Sequence, residues 1–271
     1  MTDQSMTAEE VGEFYDDRGW LYEIFMGQNL HIGWWDDADP DVDPKDRMTD
    51  VLIGRTPVRR GERVLDVGCG QGRPALRLAA ATGASVTGIT VSQEQVAAGA
   101  AAAAAEGLSD QVEFACVDVM DMPYPPNSFD AVWAVETLMY LPDRRAALRA
   151  LFEVLRPGGH LLISDYVERE ALDERMREVL VEGFTVDSLP TAEDYLAFLA
   201  ETGFELVDSI DATAHLKRSA ARIEDVVAEK YHLVVEKGGA EFAEEFRTMI
   251  QGVSTLERDH LGYRIALARK P

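Results

Sequence analysis

Short apolar runs alternate with segments of helical periodicity between residues 62 and 166. The apolar runs predict buried strands, and the segments between them, in which apolar residues recur every three to four positions, predict helices. Repeated strand–helix units of this length are typical of a parallel sheet with right-handed crossovers and helices on both faces. The predicted strands are 63–67, 85–89, 112–117, 129–135 and 160–165, and the predicted helices are 73–81, 93–106 and 144–155.

The remainder of the chain has a mainly helical pattern. Its predicted elements are, in order, a helix over 6–29, an acidic loop over 36–46, helices over 46–58, 168–182 and 191–202, a strand over 204–210, a helical segment over 216–256 and a strand over 263–268. The helical segment before the last strand is longer than a connection requires. We therefore expect it to lie over a ligand crevice at the carboxyl ends of the parallel strands.

The composition excludes several classes of partner. The 271 residues include 26 Lys+Arg and 49 Asp+Glu, which gives a formal net charge of −23. Such a surface repels phosphate backbones and anionic membranes, so we expect no nucleic-acid or membrane partner. Only Cys69 and Cys116 are present, too few for a disulfide framework, and no apolar run reaches the roughly 20 residues of a membrane span. Residues 1–17 lack the pattern of a secretory signal, so a cytoplasmic protein is expected.

The clearest motif follows the first predicted strand, where the sequence reads Val-Leu-Asp-Val-Gly-Cys-Gly-Gln-Gly. Gly68, Gly70 and Gly72 allow a turn in which the backbone approaches a ligand closely, and the following helix directs free N–H groups at that ligand. A glycine loop of this kind also fits dinucleotide binders. The full dinucleotide pattern fails because Arg73 follows Gly72, and Asp66 would repel a pyrophosphate whereas it can accept from an ammonium group.

This segment and three later ones resemble the class I S-adenosylmethionine-dependent methyltransferases. The stretches Phe-Ala-Cys-Val-Asp-Val at 114–119, Asn-Ser-Phe-Asp-Ala-Val at 127–132 and Leu-Arg-Pro-Gly-Gly-His-Leu at 155–161 match the family in order and spacing. The resemblance implies that S-adenosylmethionine is the cofactor and binds at the glycine loop. Asp66 would then accept from its ammonium group, and Val135 would be among the residues that bind it.

The resemblance assigns further residues to the adenosine part of the cofactor. Asp118 would accept from the adenine amino group, and Val119 would offer its backbone N–H. Many class I enzymes end the second strand with an acidic residue that holds the ribose hydroxyls, whereas this chain reads Gly-Ile-Thr-Val-Ser-Gln-Glu-Gln. The same form occurs in relatives similar to cyclopropane fatty acid synthases, in which Thr and Gln make the ribose contacts. Thr90 and Gln95 are therefore expected at the ribose, with Glu94 as the alternative.

The N-terminal part narrows the resemblance to a subgroup. Tyr15 and the run Leu-His-Ile-Gly-Trp-Trp at 30–35 resemble a prelude found in natural-product tailoring enzymes like the rebeccamycin sugar O-methyltransferase. Sterol, tocopherol and geranyl diphosphate C-methyltransferases resemble the chain as well. In the subgroup this prelude folds over the cofactor, which implies that Tyr15, His31, Gly33 and Trp34 bind S-adenosylmethionine.

The fold that the resemblance implies is α/β, a Rossmann-like and mostly parallel sheet whose last strand is antiparallel. We expect four parts: an N-terminal helical segment over 1–58 that covers the cofactor, a cofactor-binding domain over 59–214, a helical lid over 215–261 and a final strand over 262–271 that returns to the sheet.

The catalytic candidates are carboxylates. Methyl transfer from a sulfonium needs alignment and exclusion of water, and a base only when the acceptor is a hydroxyl or a carbocation must lose a proton. Sugar O-methylating relatives carry His near position 139 or 140, where this chain has Met139 and Tyr140. Glu136, at the end of the fourth strand, and Asp165, at the end of the fifth, are therefore the candidate bases, with Tyr140 beside them. No cluster of His, Cys or carboxylates has metal-ligand spacing.

The sequence thus predicts an enzyme that methylates a small natural product, with oxygen or carbon favoured as the acceptor atom and nitrogen left open. A homo-oligomer is also left open. The alternative function is a methyltransferase-fold protein that binds S-adenosylmethionine structurally and promotes a reaction such as cyclisation. An NAD-dependent oxidoreductase is disfavoured by the incomplete dinucleotide pattern.

Overall fold

The computed structural model describes residues 29–271 and, before them, Trp20, Leu21, Ile24, Phe25 and Gly27. Tyr15, predicted to contact the cofactor, lies outside the described residues, so its role stays a prediction.

The described chain alternates strands and helices through its centre. The strands are β1 Arg63–Val67, β2 Ser85–Thr90, β3 Val112–Cys116, β4 Phe129–Val135, β5 Leu155–Glu168, β6 Glu205–Asp211 and β7 Leu261–Arg269. The helices are α1 Pro44–Arg55, α2 Arg73–Thr82, α3 Gln93–Glu106, α4 Arg144–Val154, α5 Glu174–Phe184, α6 Ala192–Thr202, α7 Thr213–Gly238 and α8 Ala240–Asp259. From residue 44 onward the predicted order of strands and helices is confirmed, whereas the helix predicted over 6–29 lies mostly outside the described residues and stays a prediction.

The seven strands form one sheet in the order β3-β2-β1-β4-β5-β7-β6. The pairs β1–β2, β2–β3, β1–β4 and β4–β5 are parallel, whereas β7 runs antiparallel to both of its neighbours. This confirms the predicted Rossmann-like sheet with an antiparallel last strand. The chain leaves β1 in one direction along the sheet and later returns to β4 on its other side. A crevice therefore opens at the carboxyl ends of β1 and β4, where ligands of such folds bind.

Two predicted boundaries differ from the structure around β5. This strand begins at Leu155, so the expected turn at 157–159 lies within its irregular first part, where the pairing with β4 shifts register. At its other end β5 continues to Glu168, which pairs with Leu261 on β7. The helix predicted from residue 168 therefore begins only at Glu174, after Asp173 caps it by accepting from Met176 N. Long-range pairing with β7 overrides the helical pattern here.

The helices α7 and α8 form a pair inserted between β6 and β7. Their apolar faces pack on the short described part before residue 29, where Phe25 stacks on Phe246 with 5.0 Å between ring centroids. The predicted break at Gly238-Gly239 is confirmed as the point where one helix ends and the next begins. The division into four parts with a lid stays a prediction. Among the described residues, no helix is both long and apolar enough to cross a bilayer.

Candidate active site

The glycine loop after β1 passes closely over the start of the loop after β4. Gly68 has φ of 68°, and a Cβ on it would lie 2.3 Å from Thr137 Oγ1. Thr137 in turn donates its hydroxyl proton to the Val67 carbonyl at 2.8 Å. Only glycine satisfies both the backbone conformation and the close approach, so the two loops meet at the crevice.

A cavity of about 230 Å³ lies at this crevice. Most of the predicted site residues line it, namely His31, Asp66, Gly68, Gly70, Thr90, Gln95, Asp118, Val119, Val135, Glu136 and Tyr140. Sequence reasoning did not select several others, among them Leu30, Gln71, Met120, Leu141 and Pro142. Leu30 and Gln71 lie within the two motifs quoted above but were given no role there, whereas Met120, Leu141 and Pro142 lie in no motif, and only the fold brings them to the cavity wall.

Asp66 is a buried acid with an unused acceptor. Its side chain is 2% exposed, and its Oδ2 has no hydrogen-bond partner among the described residues. Burial raises the pKa of this carboxyl to about 7. An unpaired buried acceptor is costly unless a ligand satisfies it. A cationic amine in the cavity meets that requirement, so the site fits the ammonium group of S-adenosylmethionine.

Two polar groups at the end of β2 and the start of α3 face the same cavity. Thr90 donates its hydroxyl to Gln95 Oε1 at 2.6 Å, and Ser92 caps α3 by accepting from the Gln95 backbone N–H at 3.1 Å. Glu94, the alternative ribose contact, is exposed and does not line the cavity. Asp118, after β3, accepts from Met120 N at 2.8 Å through Oδ1.

Three residues expected at the cofactor lie outside the cavity wall, each for a steric reason. Gly33 lies against Pro44, where a Cβ would come within 2.6 Å of the proline Cβ, and Trp34 stacks on His215 with ring centroids 3.8 Å apart. Gly72 faces the ring of Phe114, which would be 2.3 Å from a Cβ at that position. Packing accounts for Gly33 and Trp34, and packing together with a φ of 84° accounts for Gly72. The contact of these three residues with the cofactor stays a prediction.

The Phe114 ring also limits Gly88 on β2 and Gly99 on α3. A Cβ would lie 2.7 Å from the ring at Gly88 and 3.0 Å from it at Gly99. Neither of these glycines has a positive φ, so close contact, not backbone conformation, disfavours a larger residue there; at Gly88 Cys69 Sγ, 3.0 Å from a Cβ, adds to the contact with the ring. The ring therefore fixes the spacing between the glycine loop, β2 and α3.

Glu136 begins the loop after β4 with an uncommon backbone conformation, φ of 48°. Its Oε1 accepts from Ile32 N and from the Tyr263 hydroxyl, both at 2.8 Å. Burial raises the pKa of Glu136 to about 8; its two hydrogen bonds oppose this shift, while Asp165 and Glu257 add to it. A cavity-lining acid with a pKa near neutrality is suited to proton transfer.

Asp165 is completely buried and does not line the cavity. Its Oδ2 accepts from Met139 N at 2.9 Å and from the Tyr195 hydroxyl at 2.7 Å, and its Oδ1 accepts from Tyr166 N at 2.9 Å. Arg144 holds the same turn from its carbonyl side by donating to Met139 O at 2.7 Å. These contacts make Asp165 an anchor for the turn Leu138–Tyr140.

His31 lines the cavity but is held as a neutral ring. Its Nδ1 lies 2.8 Å from Ile32 O, and its Nε2 lies 3.1 Å from Thr49 Oγ1. Burial lowers the pKa of His31 to about 4. Both ring nitrogens are thus engaged with protein atoms, and the ring carries no charge at neutral pH.

Glu257 on α8 is a further buried acid, and it does not line the cavity. It is 7% exposed and accepts from the Tyr166 hydroxyl at 3.0 Å, and burial raises its pKa to about 7.

A raised native pKa means that the stabilising neutral form is lost as the pH rises through about 7. We expect Glu257→Gln to be more stable than the parent above pH 7, by up to about 3 kcal/mol, and equally stable near pH 4. Urea unfolding at both pH values measures this, and a pH-independent difference would contradict it.

The fold, with its glycine loop at the switch point of the sheet, is that of the Rossmann-like class of methyltransferases. Residues 65–163 match the family model described as a methyltransferase domain. The chain is 37% identical to the 27-O-demethylrifamycin SV methyltransferase of Amycolatopsis mediterranei, with 98% of each chain covered. It is 40% identical to methyltransferase GfsG of Streptomyces halstedii over 76% of each chain.

Among solved structures, the [4+2]-cyclase SpnF is similar at a TM-score of 0.85 and 35% identity, covering 98% of this chain and 97% of the other. The chain belongs to the methyltransferase family, and it is an S-adenosylmethionine-dependent methyltransferase.

Proposed function

We propose that this enzyme methylates an oxygen or carbon atom of a small, partly apolar natural product, and that Glu136 takes the proton. The position of Glu136 carries the proposal, since it shares one cavity wall with the glycine loop and with Asp66. The net charge of −23 supports a small molecule over a nucleic acid as acceptor, because phosphates are repelled. The name of the rifamycin relative supports an oxygen acceptor.

Some of the cavity residues are assigned to binding the cofactor, and others to aligning the acceptor and taking its proton. We assign Asp66 to the ammonium group, Thr90 and Gln95 to the ribose, and Asp118 and Val119 to the adenine. Bound S-adenosylmethionine supplies a methyl group already activated by a positively charged sulfur. The protein then has to exclude water and align the acceptor, for which Leu30, Tyr140 and Leu141 provide apolar and aromatic surface.

Glu136 has to be ionised in order to act as the base. Its raised pKa keeps much of it neutral at pH 7, and a bound positive charge nearby shifts the balance towards the carboxylate. Asp165 is assigned a positioning role, because all of its hydrogen bonds go to the protein and it holds the turn that carries Tyr140.

The proposed function is tested by measuring the formation of S-adenosylhomocysteine in the presence of a panel of hydroxylated natural products. The panel includes 27-O-demethylrifamycin SV. Formation that depends on an acceptor, with one methyl group gained by that acceptor, is the expected result. The similarity to SpnF supports a second candidate, a cyclisation that leaves the bound cofactor unchanged. Conversion of a substrate to an isomer of equal mass, with no S-adenosylhomocysteine formed, would establish the second candidate and overturn the first.

The ribose assignment gives a graded prediction. Gln95→Ala removes one neutral hydrogen-bonding group from the cavity, so we expect the Kd of S-adenosylmethionine to rise about 2- to 10-fold. Glu94→Ala is the matched control on the same helix, and calorimetric titration should show no change with it. An unchanged affinity in Gln95→Ala, together with a loss in Glu94→Ala, would reverse the assignment.

A further inference from the structure

The two carboxyl oxygens of Glu136 have different surroundings. Oε1 receives two hydrogen bonds, from Ile32 N and from the Tyr263 hydroxyl. Tyr263 is completely buried on β7, and it receives a hydrogen bond from Ser164 Oγ at 3.0 Å. No such contact of Oε2 exists among the described residues, although Glu136 lines the cavity. Oε1 is thus turned to the protein, and Oε2 is the oxygen available to the cavity.

The direction of these hydrogen bonds decides where a proton on Glu136 resides. A backbone N–H can only donate, so Oε1 must accept from Ile32. An ionised carboxylate can only accept, so the single phenolic proton of Tyr263 is directed at Oε1 as well, and the Ser164 hydroxyl is left to donate to the Tyr263 oxygen. Oε1 of the carboxylate thus already accepts twice. A proton taken up by ionised Glu136 therefore goes to Oε2.

We infer that Tyr263 is a positioning residue for methyl transfer: with Ile32 N it fixes Oε1 of Glu136, so that Oε2 alone takes the proton of the acceptor. This inference rests on the proposed role of Glu136 as base. In the step, the O–H bond of an acceptor hydroxyl breaks and its proton forms a new O–H bond at Oε2. The electron pair stays on the acceptor oxygen, which bonds the transferred methyl carbon, while the pair of the old S–C bond remains on sulfur.

Several other groups act on Glu136 from the elements around it. The charged and titratable groups that interact with it are Lys45 on α1, Asp165 and Tyr166 on β5, and Glu257 on α8. Asp66 on β1 and His31 in the segment before α1 share the cavity wall with it. The two neighbouring acids Asp165 and Glu257 raise the pKa of Glu136, whereas the hydrogen bonds from Ile32 and Tyr263 lower it. Loss of the Tyr263 hydroxyl should therefore move the ionisation of Glu136 to higher pH.

A neighbouring tyrosine provides a matched control. Tyr166 pairs with Tyr263 across β5 and β7, their rings lie 5.3 Å apart, and Tyr166 is also buried. Its hydroxyl, however, donates to Glu257 and not to Glu136. A change from tyrosine to phenylalanine at either position removes one buried hydroxyl from the same layer of the core, but each change affects a different acid.

The experiment is ¹³C NMR titration of the full chain labelled at the glutamate side-chain carboxyl carbon, with no acceptor present. Glu136→Gln and Glu257→Gln assign the two glutamates that titrate near neutrality. Tyr263→Phe should raise the midpoint of Glu136 by about 0.5 to 1 pH unit, the equivalent of one neutral hydrogen bond. Tyr166→Phe should move the midpoint of Glu257 and leave that of Glu136 in place.

Ser164→Ala keeps every aromatic ring in place and should also raise the titration midpoint of Glu136, by a smaller amount. This variant provides the test if Tyr263→Phe does not fold. An unmoved Glu136 midpoint in the folded Tyr263 or Ser164 variant overturns the inference. In turnover, Tyr263→Phe should lower kcat several-fold at pH 7 with the KM of S-adenosylmethionine unchanged. The proposal that Glu136 is the base has its own test. It is contradicted if Glu136→Gln keeps full turnover, whatever the titration of the Tyr263 variant shows.

Discussion

Glu136→Gln should lower kcat by about 10²- to 10⁴-fold, the usual share of a general base. Glutamine retains an oxygen that can accept from Ile32 N and Tyr263, so the fold and the contact with the N-terminal segment are expected to persist. In the parent enzyme the rate should rise with pH until Glu136 is ionised, at or below its pKa of about 8, and this rise should be absent from the variant. Steady-state rates over a range of pH, with an acceptor identified in the panel, measure both effects.

The Kd of S-adenosylmethionine in Glu136→Gln should stay within a few-fold of the parent value, which separates a defect in proton transfer from a defect in binding. A loss of less than 10-fold in kcat would remove Glu136 as the base. Such a result would favour an amine acceptor, because a neutral bound amine needs no base before it attacks. Alignment alone would then account for the rate.

Asp66→Asn should raise the Kd of S-adenosylmethionine by about 10- to 150-fold, the equivalent of one charge-assisted hydrogen bond of roughly 1.5–3 kcal/mol. The same change should stabilise the ligand-free protein above pH 7. Burial raises the native pKa of Asp66 to about 7, so the parent loses stability as the pH rises through that value, and asparagine does not ionise. Calorimetric titration and urea unfolding measure the two effects.

Glu257→Gln is the matched control for Asp66→Asn. It too removes a buried acid with a raised pKa, but one that lies outside the cavity wall. It should gain stability above pH 7 without any change in the Kd of S-adenosylmethionine. If both variants bound the cofactor with the affinity of the parent, the cofactor's ammonium group would not lie at Asp66.

The sheet was predictable from the sequence because its signals are local. Each apolar run and each helical repeat lies within a few residues, and the glycine loop carries its own turn chemistry. The cavity wall was predictable where a motif ended a strand, as at Asp66 and Glu136. The extension of β5 to Glu168 was not, because it depends on pairing with Leu261 far along the chain.

The remaining differences come from what lies opposite a residue in space. The sequence shows that Gly33 and Gly72 are glycines, but not that Pro44 and Phe114 face them. It shows an acid at the end of the predicted strand 160–165, but not that Asp165 is enclosed by its own hydrogen-bond donors. Tyr263 is 127 residues from Glu136, and only the antiparallel placement of β7 brings them together. A hydroxyl-bearing aromatic residue in a mainly apolar strand was the one available signal.

The Phe114 ring has a consequence for how this family can change by mutation. While the ring is present, an alanine at Gly88 or Gly99 would meet it at 3.0 Å or less, so the ring would have to move. Replacement of Phe114 by a smaller residue first would remove the ring contact at both positions, at the cost of a temporary void, although at Gly88 Cys69 Sγ, 3.0 Å from a Cβ, would still have to shift. The order of substitutions is therefore constrained. Homologues with alanine at either position should carry a smaller side chain in place of Phe114. Along that lineage the replacement of Phe114 should come before the replacement of either glycine by alanine.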